Sequence, residues 1–157
     1  MKNKIKEYIN NKLNIEELIH FFDTNNNSKE EIKNGGIVYT PKYISDYIVR
    51  LLKPKLEETI LEPSVGHGIF IFSLLEYIRK EYKLSIKELK DYLINKVYGF
   101  DIEKQNIEEL KEILVIYFKK ENEELQIEEL SKIKVLNTLK NNIEVDIIIG
   151  NPPYVNI

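Results

Sequence analysis

Apolar residues recur at helical spacing through the first third of the chain. Ile5, Tyr8 and Ile9, then Ile15, Leu18, Ile19 and Phe22, carry the i, i+3, i+4 signature of helices that bury one face. Asp23-Thr-Asn-Asn-Asn-Ser reads as a polar loop. Ser28 with Glu31 then makes a capping box for a short helix closed by Gly35-Gly36. Thr40 suits an N-cap and Pro41 a first helical position. Ile44, Tyr47, Ile48, Leu51 and Leu52 form one apolar stripe behind them, and Pro54 stops the helix.

From Thr59 the period changes. Thr59-Ile-Leu-Glu is a short strand, Pro63-Ser-Val-Gly-His-Gly a tight loop, and Ile69 to about Tyr82 a helix. Ser85 with Glu88 opens another helix by the capping-box signature. Lys96-Val-Tyr-Gly-Phe-Asp reads as a strand, and Glu103 to about Lys119 as a helix carrying Ile107, Leu110, Leu114 and Tyr117. A short helix near Gln126–Leu130 leads to a strand at Ile133–Leu136. Last comes Val145-Asp-Ile-Ile-Ile-Gly, an apolar strand running into Asn151-Pro-Pro-Tyr. Strands alternating with helices predict an α/β fold on a parallel sheet, with ligands at the carboxyl ends of the strands.

Composition narrows the classes. A length of 157 residues fits about one domain, and 43% hydrophobic with 31% charged residues fits a folded, intracellular chain placed in the cytoplasm. The absence of cysteine excludes a disulfide scaffold, a thiolate nucleophile and a Cys-ligated metal. No apolar run is long enough for a membrane span. Twenty-three Lys and Arg stand against 26 Asp and Glu, a net charge of −3. A free-standing nucleic-acid binder shows a basic face instead, so if this chain works on DNA, most of the backbone-gripping surface must lie elsewhere.

Two glycines, Gly66 and Gly68, follow the strand that ends in Glu62-Pro63. A dinucleotide site wants a third glycine at the position of Ile71, so pyrophosphate binding is disfavoured. An acidic strand end before a Gly-x-Gly turn suits a ligand with a positive amino or sulfonium group, such as S-adenosylmethionine. Asp101 ends the next strand, where a carboxylate can accept both hydroxyls of a ribose. The most specific signal is Asp146-Ile-Ile-Ile-Gly-Asn-Pro-Pro-Tyr: its last four residues arise by chance in roughly one chain per thousand or fewer. The exocyclic amine of adenine is a poor nucleophile because its lone pair is delocalised into the ring. The amide oxygen of Asn151 and the carbonyl of Pro152 can each accept one N–H, drawing the nitrogen toward tetrahedral geometry. Pro152 and Pro153 stiffen that corner, and Tyr154 offers an aromatic face to a base that has left the stack.

With these motifs in place, the chain resembles the S-adenosylmethionine-dependent, amino-methylating DNA methyltransferases. It is most similar to the N6-adenine enzymes of restriction–modification systems in which cofactor motifs precede Asn-Pro-Pro-Tyr. Gly36-Ile-Val-Tyr-Thr-Pro, Leu61-Glu-Pro-Ser-Val-Gly-His-Gly-Ile-Phe, Val97-Tyr-Gly-Phe-Asp-Ile-Glu and Asp146 to Tyr154 match that order. The resemblance implies an incomplete Rossmann-like class I methyltransferase fold of about four parallel strands over residues 35–157, preceded by a helical extension, 1–34. It implies that Tyr39, Thr40 and Pro41 border the methionine moiety, and that Glu62, Pro63 and Gly66 lie near its amino group. Gly68 and Phe70 would shape the loop, Asp101 hold the ribose and Ile102 pack on the adenine ring. Asn137 stands where the family often has an Asp for the adenine amine. Asn151, Pro152, Pro153 and Tyr154 would be catalytic.

Family members continue with further strands, a base-clasping aromatic residue and a target-recognition domain. The expectation is therefore the amino-terminal half of a longer or split enzyme, binding cofactor weakly and methylating nothing alone. It would reach DNA through other regions and expose the edge of its last strand for self-association or pairing with a second chain. Two alternatives stay open: an amino-methyltransferase acting on RNA or on protein glutamine, and a non-catalytic interaction module. Elsewhere the readings are structural. His20 is a partly buried helix residue, His67 a variable loop side chain, and the two make no metal site. Glu121–Glu129 is a solvated helix face.

Overall fold

The structure, a computed structural model, describes residues 1–26 and 39–151. Six α-helices and four strands are described: α1 (Lys2–Ile9), α2 (Ile15–Asn26), α3 (Lys42–Leu52), β1 (Ile60–Glu62), α4 (Ile69–Tyr82), α5 (Ile86–Lys96), β2 (Val97–Asp101), α6 (Lys104–Lys120), β3 (Ile133–Val135) and β4 (Ile147–Ile148). The expected helix at Ser28–Gly36 lies outside the described residues. All strand pairs are parallel, in the order β3-β2-β1-β4. Ile60 pairs with Val97 on one side and Ile147 on the other, so the first residues of β1, β2 and β4 are level, their carboxyl ends lie at the same end of the sheet, and β2 runs two residues past the end of β1.

β1 is buried along its whole length, as a central strand of a covered parallel sheet must be. The helix it feeds, α4, is apolar nearly all round over its first two turns, and residues 69–75 are all buried. It packs against α3, α2 and α5, while α6 lies on β2 and β3. The capping box at Ser85 forms as expected: the Glu88 amide donates to Ser85 Oγ at 3.3 Å and the Ser85 amide to Glu88 Oε2 at 2.8 Å. Tyr8, Ile15, Leu18, Ile19 and Phe22 from α1 and α2 join the same apolar cluster as the sheet helices.

Several details depart from the sequence reading. The packed face of α3 is Ser45 and Val49, both fully buried, and the expected stripe points largely outward, with Tyr47 56% and Leu51 63% exposed. Small side chains let α3 approach α4 closely enough for the Ser45 and Ser73 hydroxyls to meet at 2.7 Å. Thr40 does not cap α3, because Pro41 is extended (ψ 141°) and occupies the cap position itself. The first helical amide, on Lys42, donates instead to Glu16 Oε1 of α2 at 2.8 Å. Residues 121–130 form no α-helix: a 3-10 turn spans Ile127–Glu129, Leu125 is buried, and Glu121 and Glu123 pair with Arg79 and Lys90. His20 is exposed, its ring edge-on to Tyr39 at 5.1 Å. β4 is shorter than expected. Among the described residues it pairs only with β1 and leaves Ile148 64% exposed on the open edge.

Candidate active site

The carboxyl ends of β1, β2 and β4 lie side by side at one end of the sheet, where open parallel sheets hold their ligands in a crevice. At the end of β1, Glu62 is buried and its Oε2 has no hydrogen-bond partner among the described residues. Burial, and then the charge of Asp101, hold its carboxyl well above the usual carboxylate range. A buried polar atom without a partner is costly, and a cation entering the crevice would relieve that cost.

The turn after β1 depends on its two glycines. Gly66 has φ +50° and a Cβ there would meet nothing within 4 Å, so the backbone is open to a ligand's close approach. Gly68 has φ +85° and begins α4, and a Cβ there would fall 2.5 Å from Leu110 Cδ1. Phe70 is buried in the core, so it has almost no surface to offer a ligand. The turn is tied to β2: the Val65 amide donates to the Phe100 carbonyl at 2.8 Å, and the Gly66 amide to Asp101 Oδ2 at 2.9 Å.

Asp101 also accepts the Glu103 amide on Oδ1 at 2.9 Å. A carboxylate offers about four lone-pair sites, so acceptor capacity remains for a diol. Ile102, beside it, is 65% exposed. Asn137 is less available than its sequence position suggests, because its amide oxygen accepts the Leu139 amide at 3.1 Å and caps a 3-10 turn. The neighbouring Thr138 hydroxyl donates to the Pro63 carbonyl at 3.1 Å, which draws that segment to the glycine turn.

The far wall comes from β4 and the segment before α3. A Cβ at Gly150 would sit 3.6 Å from Glu62 Cγ and Pro63 Cδ. Asn151 Nδ2 donates to Thr40 Oγ1 at 3.2 Å, and its amide oxygen takes no bond among the described residues. Tyr39 donates its hydroxyl to Glu16 Oε1 at 3.3 Å; burial and then Glu16 push its pKa above the ordinary phenol value. Thr40, Glu62, Pro63, Gly66, Asp101 and Asn151 are thus drawn together at this end of the sheet, with Tyr39 and Pro41 flanking Thr40. Pro152, Pro153 and Tyr154 lie outside the described residues.

Sequence reasoning missed two supports. Glu16 fixes the Tyr39–Lys42 segment from α2, and nothing in the local sequence marks it, because its partners lie 23 and 26 residues away. His67 is no idle loop residue. It is buried, with both ring nitrogens on carboxylates, and its position between two glycines was the available signal. No group of three or more metal-ligating side chains occurs among the described residues, nor any helix long and apolar enough to cross a membrane.

The model of the N-6 DNA Methylase family matches residues 7–156, taking in α2 and the last residues of α1. A type I restriction enzyme EcoEI methylase subunit from Escherichia coli is 27% identical over 77% of the chain and 24% of its own length. The type II methyltransferase M.CvrRI of Paramecium bursaria Chlorella virus XZ-6E is 30% identical over 81% of the chain and 26% of its own length. The chain therefore spans about a quarter of the length of these curated relatives. A modification subunit of a putative type I restriction enzyme from Vibrio vulnificus YJ016 shares the fold, with a TM-score of 0.51 and 18% identity over 90% of this chain and 29% of that one. The incomplete Rossmann-like sheet and the match across nearly the whole chain agree: this protein belongs to the N-6 DNA Methylase family.

Proposed function

We propose that the chain forms the cofactor-binding and amine-activating part of a DNA (adenine-N6) methyltransferase of a restriction–modification system. The observation that carries this reading is the seam joining Asn151 to Thr40 and Gly150 to Glu62. It sets the amide of the Asn-Pro-Pro-Tyr segment at the rim of the crevice that holds Gly66 and Asp101. The residues fit S-adenosylmethionine: an unpartnered buried carboxyl for its ammonium group, an open glycine backbone, and spare acceptors on Asp101 for the ribose. S-adenosylmethionine, when bound, supplies a methyl sulfonium whose departing thioether is neutral, so the attacking nitrogen needs an available lone pair rather than a strong base.

Asn151 supplies that availability. Its Nδ2 is held by Thr40, which aims Oδ1 as an acceptor for one N–H of the adenine amine. The Pro152 carbonyl takes the other, and Tyr154 stacks on the flipped base; these two roles rest on sequence. Thr40 and Tyr39 border the methionine part and Ile102 packs on the cofactor's adenine. Orientation and electrostatics do the work. Residues 35–157 would be the amino-terminal half of the methyltransferase domain and 1–34 a helical extension docked on it. DNA recognition belongs to parts of the enzyme beyond this acidic chain, and the open edge of β4 offers pairing to a further strand or a second chain. DNA is favoured as substrate because the matching family is described as N-6 DNA Methylase and one curated relative is named a type I restriction enzyme methylase subunit.

The test is transfer of labelled methyl from S-adenosylmethionine by the complete enzyme carrying these residues, with DNA, RNA and release factor offered separately. N6-methyladenine in DNA, lost in Asn151→Ala, is the expected result. Label in RNA or protein alone, or full activity in the variant, would overturn the reading.

A further inference from the structure

His67 sits at the middle of the Gly66–Gly68 turn, flanked by two residues that have no side chains to anchor the backbone. Its own side chain is 1% exposed. Nδ1 meets Asp23 Oδ1 of α2, and Nε2 meets Glu109 Oε2 of α6 at 2.8 Å. The Phe22 ring closes one side at 5.9 Å. Asp23 and Glu109 are the titratable groups that reach the ring from the packed elements, among the described residues; Gln105 in turn donates to Glu109 Oε1 at 3.1 Å.

An ionised carboxylate only accepts hydrogen bonds, and a neutral imidazole carries a single N–H. With a carboxylate on each ring nitrogen, a neutral ring would turn a lone pair against an oxygen. The imidazolium satisfies both contacts, as two charge-assisted bonds. We propose that His67 is a positioning residue, a charged clamp that locks the glycine turn to α2 and α6 so that Gly66 and Asp101 stand in register for the cofactor. This rests on the proposed function for its consequence, though not for the state of the ring. Through the clamp, α2 takes part in shaping the crevice from 44 residues away in the chain.

Burial lowers the affinity of the ring for its proton, but the bonds and charges of Asp23 and then Glu109 outweigh burial, and its pKa stands above the ordinary value of 6.5. The clamp is therefore complete below that value and lost as pH rises through the raised folded one. Cofactor affinity should fall along the same alkaline limb. Glu62 gives the opposite limb: a carboxyl that must ionise to meet an ammonium group binds better as pH rises through its own raised pKa. The two together make a bell-shaped profile.

Two measurements on the 157-residue chain test this. Nitrogen-detected NMR of the His67 ring without cofactor should show both ring nitrogens protonated at neutral pH; a neutral ring would overturn the clamp. Titrations of S-adenosylmethionine from acidic to alkaline pH should show affinity about tenfold weaker in His67→Gln at neutral pH, with the alkaline limb gone. Asp23→Asn and Glu109→Gln, which keep the ring, should move that limb to lower pH and serve where His67→Gln folds poorly. An unchanged alkaline limb in all three variants would overturn the proposal. If the wild-type chain binds no cofactor at any pH, the proposed function fails, and the ring spectrum alone decides the clamp.

Discussion

Glu62 shows the tension between stability and use at a single residue. Its carboxyl is buried with an unpartnered oxygen, and its pKa is raised first by burial and then by Asp101. The sign of the stability effect follows. Above the ordinary value of 4.5 the unfolded chain releases this proton while the folded chain keeps it, so the residue costs the fold more as pH climbs toward the folded pKa. Glu62→Gln should therefore stabilise the cofactor-free chain by about 1–3 kcal/mol. By urea unfolding the gain should be larger at pH 7 than at pH 4.5, and cofactor affinity should drop. A variant less stable than wild type at neutral pH would contradict the assignment. The sequence already pointed to this residue, because an acidic strand end before Gly-x-Gly is a local signal. It did not point to the orphaned oxygen, which depends on Gly150 and Asp101 arriving from distant strands.

At the scale of elements, α3 is the instructive case. Its apolar stripe was legible, but its packed face was not. Close approach to α4 selects Ser45 and Val49, and hydropathy gives Ser45 no weight. Its start was misread for a related reason: the Thr40 hydroxyl is engaged with Asn151, and the first helical amide is met by Glu16 from α2. Glu16→Ala should cost about 1 kcal/mol, the usual worth of a helix cap. It should also speed hydrogen exchange at the Lys42 amide and loosen Tyr39 and Thr40 on the crevice rim. Exchange unaltered at Lys42 would mean that α2 does not hold this segment. The helices α4, α5 and α6 and the strands β1 to β3 were readable because period, capping box and glycine turn agree locally.

At the scale of the whole molecule, α3 and the β4 edge both leave apolar surface uncovered among the described residues. Ile148 on the β4 edge and Tyr43, Tyr47 and Leu51 on α3 are all more than half exposed, which marks surface suited to a further strand or chain. Sedimentation of the isolated chain should show concentration-dependent self-association, reduced in Ile148→Lys; a strictly monomeric wild type would remove the self-pairing proposal. The parallel order, and with it the placing of the glycine turn, Asp101 and Gly150 at one end of the sheet, followed from the α/β alternation. The His67 clamp and the Asn151–Thr40 bond did not, since each joins segments far apart in the chain. The central claim is that these motifs make one cofactor crevice, and amide NMR of the chain titrated with S-adenosylmethionine tests it most directly. Saturable shifts confined to Thr40, Glu62 to Gly68, Asp101–Ile102 and Gly150–Asn151, and abolished by Asp101→Ala, are expected. Shifts mapping elsewhere, or none at any concentration, would contradict it.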